Sequence, residues 1–290
     1  MIANRGEIYL FDSLTWHLTR RQPGLRDGAH RGRLRGAGGA FADIAPLLAH
    51  PDPRRLDLRR SITDPFGGFF VRRFERHTDL VLHILLDASA SLGTIASSDR
   101  QRVAALLAGG LAQAARRGGD RVALQAASGR DMVLDLSPTR RAGIGDEIRE
   151  DVSRLLTSGD GVEGLCLAAE NLPQRQVLVA LISDFDHTTS ELNQLLGALS
   201  PRPILPLWLR DTGLEEPPGR IGLSEMRDPE SGRRSTVLTG RKWASRQAEA
   251  SRSHRRELRA VFANHGLRPV EIRDSIDLSQ LIAELAEAPR

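Results

Sequence analysis

Two short polar runs carry the residue types on which chemistry could rest. Asp87-Ala88-Ser89-Ala90-Ser91 follows the apolar stretch 80–86, and Ser183-Asp184-Phe185-Asp186 follows the apolar stretch 177–182. Continuous apolar runs of this length are expected of parallel strands buried on both faces. In open α/β sheets, ligands bind beyond the carboxyl ends of such strands. Two neighbouring central strands would bring Asp87 and Asp184 together, which is costly unless a cation or a proton compensates. Aspartate and serine are hard oxygen ligands, suited to Mg²⁺ or Mn²⁺ rather than zinc. In Asp-x-Ser-x-Ser, the turn after the strand can aim the carboxylate and both hydroxyls at one point. The plainer reading is that Asp87, Ser89 and Ser91 cap the next helix or tie down its loop. Asp184 and Asp186 would then form surface pairs with arginines, which contribute little. Capping alone leaves Asp184 unexplained.

The elements that would position these runs alternate regularly from residue 79 onward. Residues 102–117 place apolar side chains at helical spacing. Short strands at 121–127 and 132–136 flank the turn Ser128-Gly129-Arg130. Helices at 146–156 and 162–171 precede the strand 177–182, and a helix at 190–199 leads to a strand at 204–209. An insertion at 213–239 holds two strand-like stretches, 221–226 and 234–238, around the turn Asp228-Pro229-Glu230-Ser231-Gly232. A long charged helix at 241–265, a strand at 267–272 and a helix at 278–285 complete the chain. Strands alternating with helices predict an α/β fold with a mostly parallel sheet flanked by helices. Residues 1–76 form one unit, an N-terminal extension with short strands that is either a small β unit of its own or packed on the sheet. It reads as a short helix at 8–18, an irregular extended Gly/Arg-rich stretch at 20–39, and strands at 55–62 and 69–75 around the turn 64–68. The second unit is 77–290, with the hairpin insertion inside it.

Composition narrows the function classes. With 290 residues and 40% hydrophobic content, the chain is globular and long enough to bury a core. Its longest apolar run, 103–115, is broken by Gln113 and ends at Arg116 and Arg117, so no membrane insertion is expected. Arg5 and Glu7 interrupt the N-terminus too early for a signal-peptide core. A lone cysteine, Cys166, excludes an internal disulfide and fits a reducing compartment, so a cytoplasmic location is expected. Its apolar helical setting reads as a small buried hydrophobe. Lys242 is the only lysine among 41 basic residues, yet the net charge is only +4 and aromatics are 4%, too few for base stacking. Nucleic acid is therefore not an expected partner. His83 lies inside the first apolar run, as a packed core residue would, and the charged run 241–259 reads as a solvated helix face. Neither a Gly-x-Ser-x-Gly elbow nor a Gly-x-x-x-x-Gly-Lys loop is present.

Asp-x-Ser-x-Ser after an apolar strand resembles the first element of the metal-ion-dependent adhesion site of von Willebrand factor A domains. Asp184 stands where that family has its third-loop aspartate. A broader resemblance covers nearly the whole chain. The run Gly28 to Phe41, then Pro53 to Asp57, Val71 to Phe74, Leu86 to Ser91, Ile182 to Phe185 and Asp228 to Gly232 are similar to the MoxR-associated family of unknown function. The chain resembles its short, soluble, MxaS-like form. That resemblance implies a von Willebrand factor A-like sheet and a MoxR-type AAA+ ATPase as partner. It also implies a role in maturing a client metalloenzyme such as methanol dehydrogenase. The adhesion site also takes a threonine from a second loop. Here that stretch, 158–165, has none, and Glu163 or Asp160 could substitute. The implied ligand set is Asp87, Ser89, Ser91, Asp184 and Glu163, with Mg²⁺ or Mn²⁺ held and a partner's carboxylate completing the coordination. The expected function is therefore non-enzymatic binding. The rivals are a scaffold with a degenerate metal site and a Mg²⁺-dependent phosphohydrolase of the haloacid dehalogenase type. The latter wants an aspartate where Ser89 stands.

Overall fold

The computed structural model describes residues 11, 27–49, 53–78, 80–174, 176–227 and 234–287. In chain order the strands are β1 (Asp27–Pro46), β2 (Phe70–Thr78), β3 (Val81–Asp87), β4 (Arg121–Ser128), β5 (Asp131–Thr139), β6 (Val177–Ser183), β7 (Ile204–Arg210), β8 (Gly222–Arg227), β9 (Arg234–Thr239) and β10 (Val270–Arg273). The helices are α1 (Leu58–Thr63), α2 (Arg100–Arg117), α3 (Ile144–Arg154), α4 (Glu163–Glu170), α5 (Thr189–Leu199), α6 (Thr212–Glu215), α7 (Arg241–Asn264) and α8 (Leu278–Glu287).

β3 and β6 are buried along their whole length. An all-apolar strand is stable only between two covered faces, which places both at the centre of the sheet. The six-stranded sheet runs β10-β7-β6-β3-β4-β5. Its strands pair in parallel except for β5, which returns antiparallel on β4. Counted from β3, this is the 3-2-1-4-5-6 order of doubly wound sheets, in which the chain reverses direction between the first and fourth strands. That reversal falls between β3 and β6, where Leu86 pairs with Ile182. Leu82, Ile84 and Leu86 of β3 pack on one face with Leu107 and Leu111 of α2, Ile148 of α3 and Leu281 of α8. Leu85, Val179 and Leu181 meet α4, α5 and α7 on the other face, through Leu165, Leu195 and Phe262. Burying each such side chain contributes ~1.5–3 kcal/mol. α2 and α3 approach through glycine: a Cβ on Gly109 would lie 2.6 Å from the Gly145 carbonyl oxygen.

This is the α/β class expected from the sequence. The insertion forms the expected hairpin, with β8 antiparallel to β9. One expected strand is a helix instead. Residues 55–62 place Leu58 and Ile62 four apart, and both are exposed on α1. Asp57 caps that helix, its Oδ1 accepting the Arg60 N–H at 3.0 Å. The glycine-rich stretch, expected to be irregular, is drawn into β1 by pairing with β2, with repeated register shifts where the chain bulges. The expected helix at 8–18, apart from Phe11, and the turn at 228–232 lie outside the described residues. Phe11 is buried in the first core, against Gly110 of α2.

Candidate functional site

β3 and β6 end side by side, and their last residues deliver Asp87 and the Ser183-Asp184 pair to one point. Asp87, Ser89, Ser91 and Asp184 all gather there, each buried. Asp87 is fully engaged. Its Oδ1 accepts the Ser89 N–H at 3.0 Å, and its Oδ2 accepts the Ser183 hydroxyl at 2.7 Å and lies 2.8 Å from His187 Nε2. The Ser89 and Ser91 hydroxyls are 3.0 Å apart and bond to each other. Asp184 accepts the Arg100 Nη1 proton at 2.7 Å through Oδ2 and the Asp186 N–H at 3.3 Å through Oδ1. The other Arg100 Nη donates to the Ser91 carbonyl.

Two carboxylates therefore meet two cations, and no residue of the four is more than 7% exposed. Burial pushes the His187 imidazole down, but the Asp87 hydrogen bond and charge, with Asp184 and Glu191 nearby, outweigh it and raise the pKa to about 9. His187 is thus an imidazolium at neutral pH, and its Nε2–H donates to Asp87. Burial likewise raises Asp87, yet His187, Ser183 and the Ser89 N–H bring its carboxyl below the ordinary value. At Asp184, burial and the neighbouring charges of Asp87 and Asp186 prevail over Arg100, and its carboxyl is raised.

Neighbouring elements fix each participant. Arg100 is the first residue of α2, just after the cap Asp99, whose Oδ1 accepts the Arg102 N–H at 2.9 Å. The loop leading to it is clamped by Asp211 at the end of β7. That carboxylate accepts the N–H groups of Ala96, Ser97 and Ser98 at 3.2, 3.1 and 3.1 Å, and the Ser97 hydroxyl at 2.6 Å. Burial would raise Asp211, but these donors hold it well below the usual carboxylate range. Phe185 turns the β6 loop with φ of 51°, a left-handed conformation that a bulky residue rarely adopts. Its N–H donates to the Ser183 hydroxyl at 2.8 Å, and its ring packs edge-on against Trp208 and Phe262. The Trp208 indole N–H in turn donates to the Asp184 carbonyl at 2.8 Å. Beside Asp184 lies a cavity of about 170 Å³ bordered by Arg100, Asp186, Trp208, His254 and Arg255.

The second loop also reaches the site, through its backbone. The Ala90 N–H donates to the Gly159 carbonyl at 3.0 Å, and the Ser158 N–H to the Ala88 carbonyl at 3.2 Å. Thr157, just before this stretch, packs its hydroxyl against Gly93. Glu163 and Asp160 stay outside the cluster: Glu163 is half-exposed and pairs with Arg130 at 3.7 Å, and Asp160 is exposed. In this arrangement the donors do not fit a divalent ion. Asp87 has both oxygens bonded, Asp184 is paired with Arg100, and the two hydroxyls face each other. Among the described residues, no group of three or more His, Cys, Asp or Glu side chains is disposed to hold a metal.

Sequence reasoning missed Arg100 and His187, and it placed Ser183 in the second polar run without giving it a role. Arg100 carried a signal, because a cation in the first turn opposes the helix dipole and needs a local anion. His187 carried only its place three residues after Asp184. His83 and Cys166 behave as core residues. His83 Nε2 lies 3.1 Å from Gln125 Oε1, and burial lowers its pKa to about 4. Burial, with the charges of Glu170 and Glu163, pushes the Cys166 thiol up.

Fold and site together define an α/β protein with a polar cluster at the sheet's switch point. A family model described as protein of unknown function DUF58 matches residues 52–261, and the chain belongs to that family. It is 54% identical over 104 residues to an uncharacterized protein in the moxR 3′ region of Paracoccus denitrificans, an alignment covering 36% of this chain and 99% of that protein. Among solved structures it is similar to BatB from Bacteroides thetaiotaomicron, at 17% identity and a TM-score of 0.44, covering 72% of this chain and 99% of that one. It is also similar to the pilus adhesin SpaC from Lactobacillus rhamnosus GG, at 9% identity and a TM-score of 0.44, covering 72% and 29%.

Proposed function

We propose that this chain is a non-enzymatic, cytoplasmic accessory protein that binds a client and works beside a MoxR-type AAA+ ATPase in maturing it, a metalloenzyme such as methanol dehydrogenase being the model client. The observation that carries this reading is the 54% identity to a protein encoded in a moxR 3′ region. The site's geometry supports binding over catalysis. A phosphohydrolase would need Asp87 free to attack, whereas both its oxygens are taken by Ser89, Ser183 and His187. The network is built to hold the strand-end loops rigid, which suits a surface that presents a fixed shape.

The cation-bridged form of this reading, with Mg²⁺ or Mn²⁺ on Asp87, Ser89, Ser91, Asp184 and Glu163, draws on the motif alone. The paired Asp184 and the outlying Glu163 favour the scaffold form instead. The test is co-expression with the MoxR-type ATPase of the same genome, followed by affinity capture and size-exclusion chromatography with ATP. A stable complex that survives removal of the affinity tag supports the proposal. Separate elution of the two proteins at micromolar concentration overturns it.

A further inference from the structure

We infer that Arg100 and His187 are the built-in partners of Asp184 and Asp87 in the strand-end site, the Arg100 guanidinium standing where a divalent ion would supply positive charge, so that the folded chain holds this site together without metal. Four observations carry the inference, and none depends on which partner the chain serves. First, both carboxylates already have partners: the Arg100 guanidinium meets Asp184 at 2.7 Å and His187 Nε2 meets Asp87 at 2.8 Å. A divalent ion added here would leave a buried excess of positive charge, which is strongly unfavourable. Second, the Ser89 and Ser91 hydroxyls, 3.0 Å apart, satisfy each other by a hydrogen bond and need no ion to do so. Third, Arg100 is held from two sides, by Asp184 and by the Ser91 carbonyl, so it spans the two loops as a bridging ion would. Fourth, its approach is fixed from outside by the Asp211 clamp on residues 96–98, which sets where α2 begins. An arginine is suited to this part because it is always charged and its planar fork serves two acceptors at once.

The full-length chain, stripped with chelator, is titrated with Mn²⁺ up to about 1 mM, the weak end of protein cation sites. Electron paramagnetic resonance reads the free ion, and thermal melts are run with Mg²⁺ and with chelator. No saturable Mn²⁺ binding and an unchanged Tm are expected. Arg100→Met should lower Tm by several degrees, and adding Asp184→Asn to it should recover part of the loss, because the unpaired buried carboxylate is then gone. Saturable Mn²⁺ binding by the wild type that is lost in Asp87→Asn would overturn the inference, and so would an Arg100→Met variant that melts with the wild type. Should Arg100→Met not fold, a folded Arg100→Met/Asp184→Asn double variant supports the charge pairing. If neither folds, the wild-type titration, which needs no variant, decides.

Discussion

Arg100 opens a helix at the end where a positive charge is least welcome, since the macrodipole there is itself positive. Only a close anion reverses that balance, and Asp184 supplies it with both side chains buried. The same reasoning applies to His187, whose charge persists in the interior only because Asp87 faces it. Asp87→Asn keeps the shape and removes the anion, so His187 must give up its proton or stay charged without a counter-ion, and the Ser183 hydroxyl is left with a weaker acceptor. Breaking one side of a buried pair costs about 3–5 kcal/mol. A chain of this size loses roughly 2–4 °C of Tm per kcal/mol, so a melt followed by circular dichroism should show a fall near 10 °C. A change under 2 °C would mean that Asp87 is not the anion on which His187 depends. At this scale the sequence showed the carboxylates and their need for compensation, because Asp87 and Asp184 each end an apolar run. It did not show what compensates. The first-turn position of Arg100 signals that it needs an anion but not which one, His187 reaches the site only through tertiary geometry, and Glu163, which the sequence nominated, points to Arg130.

The loops are held by elements that the sequence made legible to different degrees. β3 and β6 could be read directly, because an unbroken apolar run has one stable setting in a sheet. α1 could not, since six residues with apolar positions four apart fit a short strand as well, and the deciding cap bond from Asp57 is a local detail. Phe185 is the clearest case of local structure overruled by packing: its left-handed φ is kept because Trp208 and Phe262 grip the ring. Phe185→Ala should cost about 3–5 kcal/mol through the cavity it leaves. Phe185→Gly removes one more carbon yet should be less harmful, by roughly 1 kcal/mol, because glycine accepts this backbone freely. Urea denaturation of the two variants checks the order, and Gly falling below Ala would show that the turn is unstrained. The Asp211 clamp gives a second expectation at this scale. Asp211→Ala frees residues 96–98 from β7, so trypsin should cut after Arg100 in the variant under conditions that leave the wild type intact. Equal resistance in the two proteins would place the loop's rigidity elsewhere.

Across the whole molecule, two buried histidines on the central strands or their ends are tuned in opposite directions. His83 sits inside the sheet, with Gln125 beside it and Asp135 and Arg202 as the nearest charges, and burial keeps it neutral with a pKa of about 4. An unfolded histidine takes its proton near 6.5. As pH falls from 6.5 towards 4, the unfolded chain therefore gains a proton that the folded chain refuses, and stability drops. His187 works the other way, with Asp87, Asp184 and Glu191 facing it and a pKa of about 9. Its contribution is complete below 6.5 and is lost as pH rises from 6.5 to 9, where the folded chain must release a proton that the unfolded one has already shed. Each shift corresponds to a ceiling on the order of 3 kcal/mol at its extreme. The two limbs together make a dome of stability centred near pH 6.5. Scanning calorimetry from pH 4 to pH 9 should trace that dome. His83→Phe should make the acid limb shallower and leave the alkaline one unchanged, the rest of the acid fall belonging to carboxylates such as Asp87 and Asp211 that are held below their ordinary values, and His187→Gln, although less stable throughout, should make the alkaline limb shallower. A monotonic profile, or a His187→Gln variant that keeps the alkaline fall, would show that the Asp87 pair does not carry the charge assigned to it.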